Sequence, residues 1–226
     1  MRDAADSQNL RLPMIVGVIF TLAWPFVFQI TQPQQNLGNV RQDGFIIAVE
    51  WIALIVLLVI VVLWERLPAL ASVGIVRPAV LDVAVMFGLV VLAAALVASF
   101  SHAHLRVPKS DMLAQALGLP LALRAGLVFT AGVCEEAFFR GYLIERLRRL
   151  TGNIWSGAFL GTIFFTLGHI PRYGLSAELL DVALSGAILS SLYAWRRNLL
   201  PCIVLHWLVD GINLIALPAF VSSAGK

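Results

Sequence analysis

The sequence predicts an all-α protein: a polytopic transmembrane helical bundle of about seven spans, or eight if a further segment re-enters the membrane. Three observations carry this. The 226 residues are 60% hydrophobic and only 13% charged, with mean hydropathy +0.89. Soluble domains run at about 45–50% apolar and about 25% charged. The apolar runs reach the roughly 20 residues of a membrane helix, too long for strands and without period-two alternation. The polar stretches between them are too short to build a core of their own, so residues 1–226 read as a single membrane domain. The net charge of +3 and pI near 9.2 come mostly from short loops, where basic residues set orientation; nucleic acid is not implied.

The spans follow in order. Leu12–Thr31 comes after Arg2 and Arg11 and resembles a signal peptide, but it is long for one. Gln29-Ile30-Thr31-Gln32 also lacks a small-residue cleavage pattern. It is read as the first span. Phe45–Trp64, Ala79–Phe100, Leu119–Leu143, Ile154–Ile170, Leu179–Trp195 and Leu199–Phe220 supply the rest. Pro33, Gly38 and Gly44 punctuate the first loop, Pro68 and Pro78 the second, and Pro201 opens the last span. Pro171 and Gly174 are expected to end the fifth span, leaving Ile170–Gly174 as irregular backbone inside the bilayer. Loops with Arg66, Arg77, Arg146, Arg148, Arg149, Arg196 and Arg197 share a side with the N-tail, which the positive-inside rule makes cytoplasmic. Arg124 is expected to snorkel toward the opposite interface.

Against this background stand Glu135, Glu136 and Arg140 in the fourth span, Phe165 and His169 in the fifth, and His206 and Asp210 in the seventh. A charge at mid-bilayer costs roughly 2.5–3.5 kcal/mol on insertion scales, so such residues face a protein interior and default to function over inert helix gluing. Glu136 and Arg140 are four apart, share a helix face and can pair. Glu135 points about 100° away and is left to face something else. Phe165 lies one turn before His169 on the same face. Asp210 is one turn from His206 and can fix its tautomer, and Asn213 continues that face. Each histidine alone is as readily a packed residue. Together, one shared cavity lets these groups satisfy one another, whereas separate polar sites would stabilise no apolar bundle. Cys134 and Cys202 read as small packing residues.

The ordered set resembles the signature of the CPBP family, the CAAX proteases and bacteriocin-processing enzymes, which includes the type II CAAX prenyl endopeptidases. That signature is EExxxR on one helix, FxxxH on a later one and HxxxN or HxxxD on a third. Glu135-Glu136 with Arg140, Phe165 with His169, and His206 with Asp210 match in order. The CPBP-like catalytic region covers about residues 119–220, and the first three spans carry no signature. Asp210 takes the aspartate form, where characterised prenyl proteases have asparagine.

The resemblance implies a glutamic intramembrane endopeptidase without a cofactor. Glu135 would be the general base that activates water, assisted by His169. His206 and Asp210 would stabilise the oxyanion or orient the group that does, with Glu136, Arg140, Phe165 and Asn213 supporting the site. Zinc on Glu135, His169 and His206 stays open as the less favoured reading: the ligands are suitable, but no H-E-x-x-H pair is present. The implied partners are membrane lipid and a peptide or protein substrate, of prenylated CAAX type or otherwise membrane-associated. Two readings compete. One is a bacteriocin-immunity or bacteriocin-processing protein of the same fold. The other is a proton-coupled transporter relaying protons through Glu, His and Asp, against which stands the lack of inverted repeats and paired broken helices.

Overall fold

The computed structural model describes residues 2–31, 39–102 and 111–224, whose regular structure is entirely helical. The helices are α1 (Arg2–Thr31), α2 (Val40–Trp64), α3 (Ala69–Ser72), α4 (Val80–His102), α5 (Asp111–Leu117), α6 (residues 121–151), α7 (Ile154–Tyr173), α8 (Ala177–Arg196) and α9 (residues 199–224). Asparagines and a serine start several of them. Asn39, Asn153, Ser176 and Asn198 each accept a backbone N–H of the first turn, the ordinary N-cap bond. Gly152 and Arg197, both left-handed, close α6 and α8.

Among the described residues five helices are long and apolar enough to cross a membrane: α2, the Val80–Ser99 part of α4, α7, α8 and the Leu199–Val221 part of α9. The expected count of seven is not reached on length and apolarity alone. The first helix has a shorter apolar stretch, Leu12–Phe26. The helix that carries Glu135, Glu136 and Arg140 is too charged to qualify as a span by composition.

α6 is the axis of the bundle. It packs on α2, α7 and α9, and every residue of its Glu136–Ile144 stretch is buried. That stretch is wound as a π-helix between α-helical ends. So are Ile60–Trp64 of α2 and Ile212–Ala216 of α9. π-Winding is rare and concentrates at functional sites. Close approach also shapes the axis. A Cβ on Gly141 would meet the Val73 carbonyl oxygen at 2.2 Å, so only glycine lets the α3–α4 loop lie on this face.

One expectation is corrected here. Pro171 does not break α7, which continues to Tyr173, so Ile170–Gly174 is not an irregular dip. A proline removes one N–H, here the one that would reach Leu167, and one missing bond near a helix end is tolerated. Gly174 ends the helix instead, with φ +60° and its N–H on the Ile170 carbonyl at 2.7 Å. Arg124 Nη1 donates to the Leu214 carbonyl at 3.3 Å, tying α6 to α9.

The C-terminal part of α6 is held by buried ion pairs. Arg146 pairs with Glu65 through Nη2 and through Nε at 3.1 Å, and its Nη1 donates to the Ser72 carbonyl at 2.7 Å. Tyr142 donates to the same Glu65 at 2.5 Å. Glu145 accepts from Tyr193 at 3.1 Å and pairs with Arg197 at 2.8 Å. Asp82 accepts from Arg196 at 2.7 Å and Asn198 at 3.1 Å, fastening α4 to the α8–α9 turn. Arg146, Arg196 and Arg197, counted above as loop charges, are thus structural partners.

Candidate active site

Glu135 of α6, His169 of α7, and His206 and Asp210 of α9 line one cavity of about 170 Å³, with Phe165 in its wall. A second lobe of about 110 Å³ shares Glu50, Glu135, His169 and Arg172 with the first and reaches Trp24 and Pro25 of α1. The helices cross so that distant stretches of sequence meet here.

The two adjacent glutamates differ sharply. Glu136 is fully buried, and its Oε1 accepts from Arg140 Nη1 at 2.7 Å and from His206 Nδ1 at 2.8 Å. Arg140, also fully buried, lies 4.1 Å over the Phe165 ring and extends Nη2 toward the Gly186 carbonyl at 3.4 Å. Glu135 is half-buried, and among the described residues no hydrogen bond or ion pair engages its carboxylate. One glutamate is locked; its neighbour faces the cavity unengaged.

Phe165 explains its own spacing. Phe139 meets its ring edge-on at 5.1 Å, Arg140 covers one face, and His169 lies 4.5 Å away. The aromatic ring therefore couples the α6 ion pair to the α7 histidine. His169 Nδ1 is 2.8 Å from the Phe165 carbonyl oxygen. A carbonyl only accepts, so Nδ1 carries the proton and Nε2 keeps a lone pair for a donor such as water. His206, nearly buried, has Nδ1 on Glu136 and Nε2 at 3.4 Å from Asp210 Oδ2, long for a hydrogen bond. The Nδ1 bond fixes the ring, while the loose contact leaves Nε2 able to turn to another acceptor.

Asn213 is not brought to this group. It sits in the π-wound part of α9, is half-buried, and donates to the Val209 carbonyl of its own helix at 3.1 Å. π-Winding just after Gly211 changes the angular register, so a face projected with α-helical spacing from Asp210 misses it.

Sequence reasoning missed Glu50 and Arg172. Both line both lobes. Glu50 is a lone carboxylate in a long apolar run, the same signal that singled out Glu135. Arg172 follows Pro171 in the last turn of α7 and lies 5.2 Å from the Tyr173 ring. Among the described residues no carboxylate comes within ion-pair distance of Arg172.

Zinc does not fit the side chains as arranged. Among the described residues no three His, Cys, Asp or Glu side chains are grouped closely enough to hold a metal ion. Glu136, the nearest partner of His206, spends its Oε1 on Arg140 and His206. Cys134 and Cys202 are free thiols, both buried, and Cys202 donates to the Leu189 carbonyl at 3.6 Å.

No curated protein and no solved structure matches the chain. A family model described as type II CAAX prenyl endopeptidase Rce1-like matches residues 117–212, the stretch that holds Glu135, Glu136, Arg140, Phe165, His169, His206 and Asp210. Trp24 and Glu50 lie outside it. That stretch is less than half of the 226 residues, and over it the chain is similar to the type II CAAX prenyl endopeptidases of that model.

Proposed function

We propose that this protein is an intramembrane endopeptidase that hydrolyses a peptide bond with a glutamate-activated water. The observation that carries the reading is the contrast between Glu136, consumed by Arg140 and His206, and Glu135, unengaged in a cavity beside His169. Glu135 accepts a proton from water as the water oxygen attacks the carbonyl carbon. His169 Nε2 accepts the water's other hydrogen and orients it. His206 Nε2 faces the developing oxyanion, and Asp210 orients that ring. Glu136, Arg140 and Phe165 are positioning residues. They hold His206 and His169 at fixed angles without touching substrate.

The substrate class follows from the membrane setting and the family. A peptide chain delivered from the lipid phase, prenylated and of CAAX type or otherwise membrane-associated, reaches a cavity walled by membrane helices. The proposal includes one membrane domain over residues 1–226 with seven spans. Its N-terminus is on the cytoplasmic side, on the strength of the basic loops. The catalytic region is then wider than 119–220, since α1 and α2 supply cavity wall.

The test uses the full chain in proteoliposomes with a quenched peptide ending in a CAAX sequence, with and without its prenyl group. The expected result is cleavage of the prenylated peptide and little of the bare one. Cleavage of neither, with a folded protein, contradicts the reading.

A further inference from the structure

Among the described residues α2 sends one charged side chain to the cavity, Glu50, which lines both lobes together with Glu135. Its position is set by its neighbour. Trp51 Nε1 donates to Thr130 Oγ1 at 3.0 Å, fastening α2 to α6 next to the cavity. Glu50 Oε2 is buried and has no hydrogen-bond partner among the described residues. Glu65, Glu145 and Asp82 each hold an arginine and at least one further donor; Glu136 Oε2 is likewise unpartnered, but its Oε1 holds both Arg140 and His206. An unpaired buried charge is expensive. Two carboxylates facing one low-dielectric space relieve that cost by keeping one proton between them, the arrangement that lets a pair serve as acid and base.

Amide hydrolysis needs a base for the water and an acid for the leaving nitrogen, roles that such a pair can divide. Glu135 takes a proton from water, and the departing amine nitrogen must receive one. We propose that Glu50 is the general acid of this site, donating its carboxyl proton to the leaving nitrogen while Glu135 acts as base. The inference rests on the endopeptidase reading. In the step, the water oxygen bonds to the carbonyl carbon and one water proton passes to Glu135. The C–N bond breaks, its electron pair stays on nitrogen, and nitrogen takes the Glu50 proton. Return of the proton from Glu135 to Glu50 restores the pair. No other co-reactant is needed. The groups facing Glu50 are Cys134 and Glu135 from α6, His169, Arg172 and Tyr173 from α7, and His206 and Asp210 from α9. Trp24 and Pro25 close the α1 side without titrating.

The experiment compares wild type, Glu50→Gln, Glu50→Asp and Glu135→Gln in proteoliposomes, reading cleavage of the prenylated peptide, thermal melting and the infrared carboxylic-acid C=O band. Glu50→Gln keeps shape but has no acidic proton. The expected result is a kcat lower by roughly 100-fold, KM little changed and melting unaltered. The fall of kcat at alkaline pH should disappear, Glu50→Asp should restore part of the rate, and one acid band should be lost. Wild-type kcat with the alkaline limb intact in Glu50→Gln, beside an inactive Glu135→Gln, overturns the proposal. If wild type cleaves nothing, the endopeptidase reading fails instead, and the infrared band then decides separately whether Glu50 holds the proton. An unchanged band in Glu50→Gln overturns that part as well.

Discussion

Along α6, one cluster of charges is saturated and another is left open. Toward the C-terminal end, Arg146, Glu65 and Tyr142 form one buried group and Glu145, Tyr193 and Arg197 a second. Earlier on the same helix, Glu135 has no bonded partner among the described residues, and across the cavity Glu50 leaves an oxygen unsatisfied among them. Both clusters hold glutamates, but the first is buried and bonded while the second is half-buried and left open. A buried group with every bond made holds helices in register. A buried group with bonds missing must be doing something a substrate or water completes. Glu136, Arg140 and His206 stand between them, bonded to one another through Glu136 Oε1, while among the described residues Glu136 Oε2 and Arg140 Nε have no partner.

The largest effect that could break this comparison is at Glu65. Glu65→Gln leaves Arg146 buried without its carboxylate, which costs about 3–5 kcal/mol. A large drop in melting temperature in detergent is expected, with cleavage per folded molecule unchanged. Equal loss of rate and stability would erase the distinction between the clusters.

A smaller effect sharpens the link between them. A Cβ on Gly186 would meet Phe165 Cδ1 at 2.9 Å and approach Arg140 Nη2 at 3.6 Å. Gly186→Ala should therefore push Phe165 toward His169, costing about 1–3 kcal/mol as overpacking does. Cleavage should fall more than melting alone explains. Activity that tracks melting only would mean Phe165 does not position His169.

The smallest effect is at Asn213. Its bond stays within α9, so Asn213→Ala should change stability by less than about 0.5 kcal/mol and leave the rate of cleavage alone. A rate loss comparable to that of a cavity residue would restore Asn213 to the site.

These contrasts also show what the sequence could convey. Glu135, His169, His206 and Asp210 stood out because ionisable side chains are rare in apolar spans, and the structure groups all four around one cavity. The Glu136–Arg140 pair followed from helical spacing and forms at 2.7 Å. Glu50 carried the same signal but lay in a span without a motif. Glu65 and Glu145 were hidden for a different reason: each finds its arginine on a distant element, and no local spacing announces such a pair. Arg146, Arg196 and Arg197 looked like loop charges because sequence shows their position near span ends and not their partners. The π-wound stretches leave no compositional mark, so the angle at Asn213 was misjudged. Pro171 was given too much force as a breaker, since the structure spares the turn around it.

The most direct measurement is a paired one on Glu135→Gln: cleavage of the prenylated peptide and thermal melting on the same preparation. The substitution preserves shape and removes the base, and the carboxylate it replaces supports no bond within the described residues. The account predicts loss of activity by a factor of about 100 or more with melting unchanged. Wild-type cleavage by Glu135→Gln, or a melting loss as large as that of Glu65→Gln, would contradict it.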